Sequence, residues 1–350
     1  MRNFRGETQA ALALVAAVIG AGFASGREVM RFFTAFGVWS WAGCTAAALL
    51  LSGFSMWAAY QANKLSAYDL GTLCMRSLGG IGGRLASALN GALCAVIAGA
   101  MLAAIGELAA LSLPVHNAYA IGVGLSLLLG GLLAGRGLSS LSMLGGWLLP
   151  ACLLLYTLLL NLPAPETIQV ITPSRPWQTL PMAFAYAAMN AALSCGVLCE
   201  VGQKRETKSL FRIGAMVFFL FLLLLLGANA SLYPHQADLL HEALPVVQLS
   251  KSLGAVGYWL CIVVLFLAVM TTLIALLRTL YRMLGEPVPR YARWPVALGA
   301  PFIACMGGFD WIIESVYPVL GMASTLLFLA MMVKPFASMA RKRQTEIAGE

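Results

Sequence analysis

The feature that most constrains this chain is a succession of apolar runs. Most exceed the roughly 20 residues a helix needs to cross a bilayer core of about 30 Å. They fall at residues 8–36, 39–62, 85–113, 118–134, 138–162, 177–201, 210–232, 253–283, 294–309 and 311–333. Lipid offers the backbone no hydrogen bonds, so each run must satisfy its own, which requires helix. Continuous apolar runs exclude the alternating pattern of a membrane β-barrel. The composition agrees: 60% of the 350 residues are hydrophobic and 10% charged, where soluble domains carry about 25% charged residues. The expected fold is therefore an all-α integral membrane protein with ten transmembrane helices. No water-soluble domain fits between them. Residues 1–350 form one membrane domain, divisible into halves at about 8–162 and 177–333.

The net charge of +8 does not point to nucleic acid, because the basic residues lie scattered in short loops. They report topology instead, through the excess of lysine and arginine in cytoplasmic loops. With the N-terminus inside, every lysine and arginine except Arg27, Arg31, Arg175 and Lys251 falls on the cytoplasmic side. A missed span would swap the later loops and destroy the bias. Ten spans with both termini cytoplasmic is the expected arrangement. Between spans, residues 163–176 hold four prolines and should be irregular. Residues 234–252 should form a short helical cap on the outer face. A short surface helix is expected at Ser66-Ala-Tyr-Asp-Leu.

The classes of chemistry left are few. The eight cysteines sit mostly inside apolar runs with no CxxC pair, as small buried hydrophobes do. His235, Asp238 and His241 lack a further metal ligand nearby. There is no HExxH or GxSxG motif and no membrane pairing of histidine with acid or cysteine. Neither an enzyme nor a bound cofactor is expected.

The first run carries the most information. Its 29 residues would make a helix about 43 Å long at ~1.5 Å per residue, longer than the core. Gly20, Gly22 and Gly26 fall within it. A break over Gly20, Ala21, Gly22, Phe23, Ala24 and Ser25 would resolve the length and free backbone polar groups inside the membrane. Such groups are tolerated only against protein, a cavity or a ligand. A half-helix N-terminus there would suit an anionic group. The alternative is a tilted helix whose glycines allow close packing. The sixth run places Asn190 mid-membrane, near Ala188 and Ser194. It serves either a ligand or an interhelical hydrogen bond. Runs one and six open two five-span halves, and five being odd, the halves are inverted. Paired interrupted helices in inverted halves mark a transporter site.

The run Gly20-Ala-Gly-Phe-Ala-Ser-Gly-Arg-Glu, followed by Arg31-Phe-Phe, resembles the opening helix of the YkvI-type bacterial membrane proteins. Tyr186-Ala-Ala-Met-Asn190, Leu244-Pro-Val-Val-Gln and Tyr317-Pro-Val-Leu-Gly321 extend the resemblance along most of the chain. That family is distantly similar to amino-acid permeases and sodium symporters of the LeuT fold. The resemblance implies a 5+5 inverted repeat with helices one and six broken. It also implies a multi-pass protein of the bacterial inner membrane that carries a small organic solute, such as an amino acid, with Na⁺ or H⁺ as coupling ion. A non-transporting sensor or scaffold that retains the fold is the alternative. Ala268, Thr271 and Thr272 share one helix face. With Ala16 and Ile19 they match the sodium ligands of such symporters; otherwise the threonine hydroxyls bond back to the preceding turn. Arg31 matches the outer-gate arginine, with Asp310 and Glu314 as partners, although the proline that follows Arg-Phe in the symporters is missing. Asp310 also suits a helix N-cap. Glu107 is the remaining membrane acid and the candidate for carrying a proton. Nothing in the sequence fixes the oligomeric state.

Overall fold

The computed structural model describes residues 2–163, 176–203, 205–240, 242, 244–285, 288–308, 319, 322–323 and 325–333. The chain opens with α1 (Arg2–Val18), α2 (Ala21–Ala24) and α3 (Arg27–Phe32). Next come α4 (Ser40–Lys64), α5 (Leu70–Leu78), α6 (Gly80–Ser112), α7 (Ala118–Gly135) and α8 (Leu138–Leu160). The second half holds α9 (Thr179–Leu193), α10 (Cys195–Gly202) and α11 (Thr207–Leu232). It continues with α12 (Gln236–Leu239), α13 (Pro245–Lys251), α14 (Gly254–Met283) and α15 (Arg290–Cys305). Among the described residues, six helical stretches are long and apolar enough to cross a membrane, or seven when α9 and α10 count as one bent span.

Side-chain distribution identifies the solvent. On α7, Leu125, Leu128, Leu129 and Leu132 lie outward and exposed, an apolar stripe at helical spacing that water would not tolerate. The opposite face is small: Ser126, Gly130 and Ala134 are buried. Leu273 and Leu277 of α14 press on Gly130. Small residues inward and leucine outward is the membrane pattern, in which packing rather than water exclusion joins the helices.

The two halves interleave. α4 packs on α9 and α11, α1 on α8 and α11, and α6 on α7, α14 and α15. Gly202 allows a close approach to backbone: a Cβ there would lie 2.2 Å from the Ala59 carbonyl oxygen of α4.

The loop after α4 differs from expectation. Ser66 sits at φ 50°, and the helix starts only at Leu70. The cause is Asp69, whose Oδ1 accepts from the Thr72 N–H at 2.8 Å. This aspartate caps the helix rather than lying inside it. The outer segment does form short helices, α12 and α13. The proline-rich stretch lies almost wholly outside the described residues.

Candidate functional site

The first apolar run is interrupted twice. The α1 ladder closes with Ile19 N–H to Val15 O at 3.0 Å and resumes with Ala24 N–H to Gly20 O at 3.0 Å. Between them Gly20 is extended, at φ −102° and ψ −169°. The last carbonyls of α1 and the first amides of α2 thus lose intrahelical partners inside the apolar zone. The second interruption is Gly26, at φ 83°, left-handed backbone that favours glycine. The Val246 N–H donates to Ser25 O at 2.9 Å, so α13 is pinned against this second break.

The sixth run also breaks. α9 and α10 meet at Ser194 with a bend of 66°, one turn beyond Asn190. Ser194 Oγ donates to Asn190 O at 2.8 Å. Asn190 Nδ2 donates back to Tyr186 O at 3.0 Å, and the residue is buried.

The breaks border one cavity of about 80 Å³, several times the roughly 10–15 Å³ that one water requires. Gly20, Ala21, Gly22 and Ser25 line it from the first run and Asn190 from the sixth. Phe23, Ala24 and Ala188 do not line it; they are buried in the surrounding core. The wall is completed by Met101 of α6 and Thr272 of α14, with Arg27, Glu28 and Arg31 of α3. Glu28 was not singled out among the expected site residues. The signal available in the sequence was an acid two residues past the glycine turn, on the helix that continues it.

Of the five expected cation ligands, two come together across the fold. Thr272 Oγ1 donates to Ile19 O at 3.3 Å. Thr271 Oγ1 instead donates to Ala268 O at 2.9 Å within its own turn. Ala16 is buried, with its Cβ facing Gly145 of α8. The chemistry suits a hard cation, which takes oxygen ligands. Asp310 and Glu314 lie outside the described residues; Arg31 is exposed at the cavity wall. Glu107 is exposed on α6 and does not line the cavity.

Two ion clusters pin the ends of α1, α10 and α14. Arg278 donates to Glu200 from Nε and Nη2, both at 2.6 Å, and to Ala134 O at 2.9 Å. Arg282 adds a contact at 3.2 Å to the same carboxylate. Lys204 and Arg205 are the basic residues nearest to Glu200 in sequence. The bend at Ser194 instead carries it to α14, and Arg205 donates to Gly6 O. Arg212 forks onto Glu7 at 2.8 and 2.6 Å. Those hydrogen bonds hold the Glu7 carboxyl at about 2, against the upward push of burial.

The described residues form a helical membrane fold in which two interrupted apolar runs border one cavity. Solved structures agree on the fold. The chain is similar to the inward-facing conformation of Mhp1, with TM-score 0.58 and 15% identity, over 95% of this chain and 76% of that one. It is also similar to the Eremococcus coleocola manganese transporter in complex with an aromatic bis-isothiourea compound. There the TM-score is 0.52 and the identity 14%, over 92% of this chain and 74% of that one. In sequence, the chain is similar to the uncharacterized membrane protein YkvI of Bacillus subtilis (strain 168). The two are 21% identical over 338 residues, 93% of this chain and 95% of the relative. No protein-family model matches the chain.

Proposed function

We propose that this chain is an ion-coupled secondary transporter. It moves a small organic solute, an amino acid or related compound, across the bacterial plasma membrane by alternating access. The observation that carries the reading is the cavity where the two interrupted runs meet. Irregular backbone deep in an apolar fold is costly unless it lines a cavity or meets a ligand. Paired broken helices are how transporters build a midplane site. The fold shared with Mhp1 and the manganese transporter supports the class.

In this reading ten spans form two inverted halves, with both termini cytoplasmic. Cargo sits against Gly20–Gly22, Ser25 and Asn190. Sodium is the coupling ion, held by Thr272 and Ile19 with Ala16, Ala268 and Thr271 as further oxygen donors. When bound, it would supply a charge that favours one state of the broken helix. Arg31, with Asp310 and Glu314, closes the outer side. The test is uptake into proteoliposomes under imposed sodium or proton gradients. Accumulation above equilibrium of one solute class, collapsing with the gradient, is expected. Saturable binding with no flux under any gradient would assign a non-transporting sensor instead.

A further inference from the structure

The polar side chains lining the cavity differ in how much bonding capacity they have left. Ser25 Oγ donates to Gly22 O at 3.2 Å and accepts from the Arg27 N–H at 3.4 Å. Thr272 Oγ1 is spent on Ile19 O, and the Asn190 amide nitrogen on Tyr186 O. Three ionisable residues stand among the described lining residues: Arg27, Glu28 and Arg31, all on α3. Arg27 and Glu28 each already have a partner, and their two charges cancel. Arg31 is exposed and makes no hydrogen bond or ion pair among the described residues. Its guanidinium is the charge left over, so this wall carries one net positive charge.

In a medium less polar than water such a charge attracts an anion and repels a cation strongly. Two places compete for the anion: the amides of the first broken turn, and Arg31. The turn is covered. A Cβ placed on Gly22 would lie 2.3 Å from Glu28 Oε1 and 2.7 Å from its Cδ, so the Glu28 carboxylate rests over Gly22. Whatever else that carboxylate touches, its charge keeps a second acid off the turn. Arg31 is the place that remains. Its planar fork of donors matches the two oxygens of a carboxylate. Val18, Ile97, Met101 and Leu276 make the rest of the wall apolar, which suits a hydrocarbon body.

We propose that Arg31 is a cargo-binding residue that pairs with a carboxylate, so the cargo is an organic acid. Its acid group points to Arg31 and its apolar body lies against Met101 and Leu276. An amine without an acid group is not cargo. This orientation puts the acid on α3 and not at the broken turn, where the half-helix end alone would put it. The same guanidinium serves the proposed outer gate, so cargo and gate acids take turns on it. The inference rests on the cavity being the cargo site, as proposed above.

The test is thermal stabilisation of the detergent-purified protein, with and without sodium. The probes are the apolar proteinogenic amino acids, their 2-hydroxy acid analogues, their carboxamides and their decarboxylated amines. Compounds that bind the folded state raise its apparent stability by mass action. Compounds with a carboxylate should stabilise the wild type; the carboxamides and amines should not. Arg31→Gln should weaken acid binding roughly tenfold or more, the scale of a lost charged hydrogen bond. Arg31→Lys keeps the charge without the fork; it should bind acids with intermediate affinity, and serves alone if Arg31→Gln does not fold. Carboxamides or amines binding as well as acids, or acids binding both variants unchanged, would overturn the subsite and leave the transport reading standing. Stabilisation by no compound in any series would overturn both.

Discussion

Replacing Glu200 by glutamine should cost the folded protein about 3 kcal/mol. The carboxylate takes two hydrogen bonds at 2.6 Å from Arg278 and a contact at 3.2 Å from Arg282. Charged hydrogen bonds contribute about 1.5–3 kcal/mol each. Glutamine keeps one oxygen acceptor and sets an NH₂ group against a guanidinium donor. One strong bond is lost, one becomes neutral and weakens by about half, and two guanidiniums lose their counter-charge. Breaking a fully buried pair costs about 3–5 kcal/mol. The side chains of Arg278 and Arg282 are 18% and 28% exposed, so water recovers part, and the low end applies. That is about two orders of magnitude in the folding equilibrium. Equilibrium unfolding in detergent measures it, with Arg278→Lys as companion. Lysine keeps the charge but cannot fork onto the carboxylate and reach Ala134 O together. Stability of Glu200→Gln within about 0.5 kcal/mol of wild type, the range of ordinary surface changes, would refute the reasoning.

Gly202→Ala places a Cβ 2.2 Å from a backbone oxygen of α4, which cannot swing aside. It should destabilise by about 1–3 kcal/mol, read in the same unfolding assay. Thr272→Val keeps shape but removes the bond to Ile19 O; it should cost about 1 kcal/mol and abolish any sodium-dependent rise in melting temperature. Glu7 has a folded pKa of about 2 against an ordinary 4.5. Its contribution is fully present above pH 4.5 and is lost as pH falls toward 2, because the unfolded chain takes up the proton first. Acid titration should therefore weaken wild type more steeply than Glu7→Gln across that window; parallel curves would contradict the pairing.

Much of the fold was legible because apolar length and glycine spacing are local signals. The first run was too long for the core and held Gly20, Gly22 and Gly26, and its helix is interrupted at Gly20 and again at Gly26. Thr272 was legible as one of a helical face, and it reaches Ile19. Thr271, its neighbour, bonds to its own turn, and only the rotation of α14 against α1 separates the two. Pairings across long separations were not legible. Glu200 has basic residues close in sequence, yet its partner lies 78 residues away, because the bend at Ser194 re-aims α10. The Glu28 carboxylate over Gly22 depends on the turn geometry after Ser25, which no periodicity encodes. Asp69 shows the same limit at small scale: a cap and a helix residue differ by one hydrogen bond.

In the proposed alternating access, one cavity, bordered by both breaks, opens in turn to each side of the membrane. Met101→Cys puts a thiol on the cavity wall, and the eight native cysteines are buried, so wild type supplies a low background. Membrane-impermeant thiol reagents, applied to right-side-out and inverted vesicles with sodium, without it and at acidic pH, read the opening directly. Alternating access should give modification from one face in one condition and from the opposite face in another. Modification from the same single face in every condition, or from neither, would contradict it.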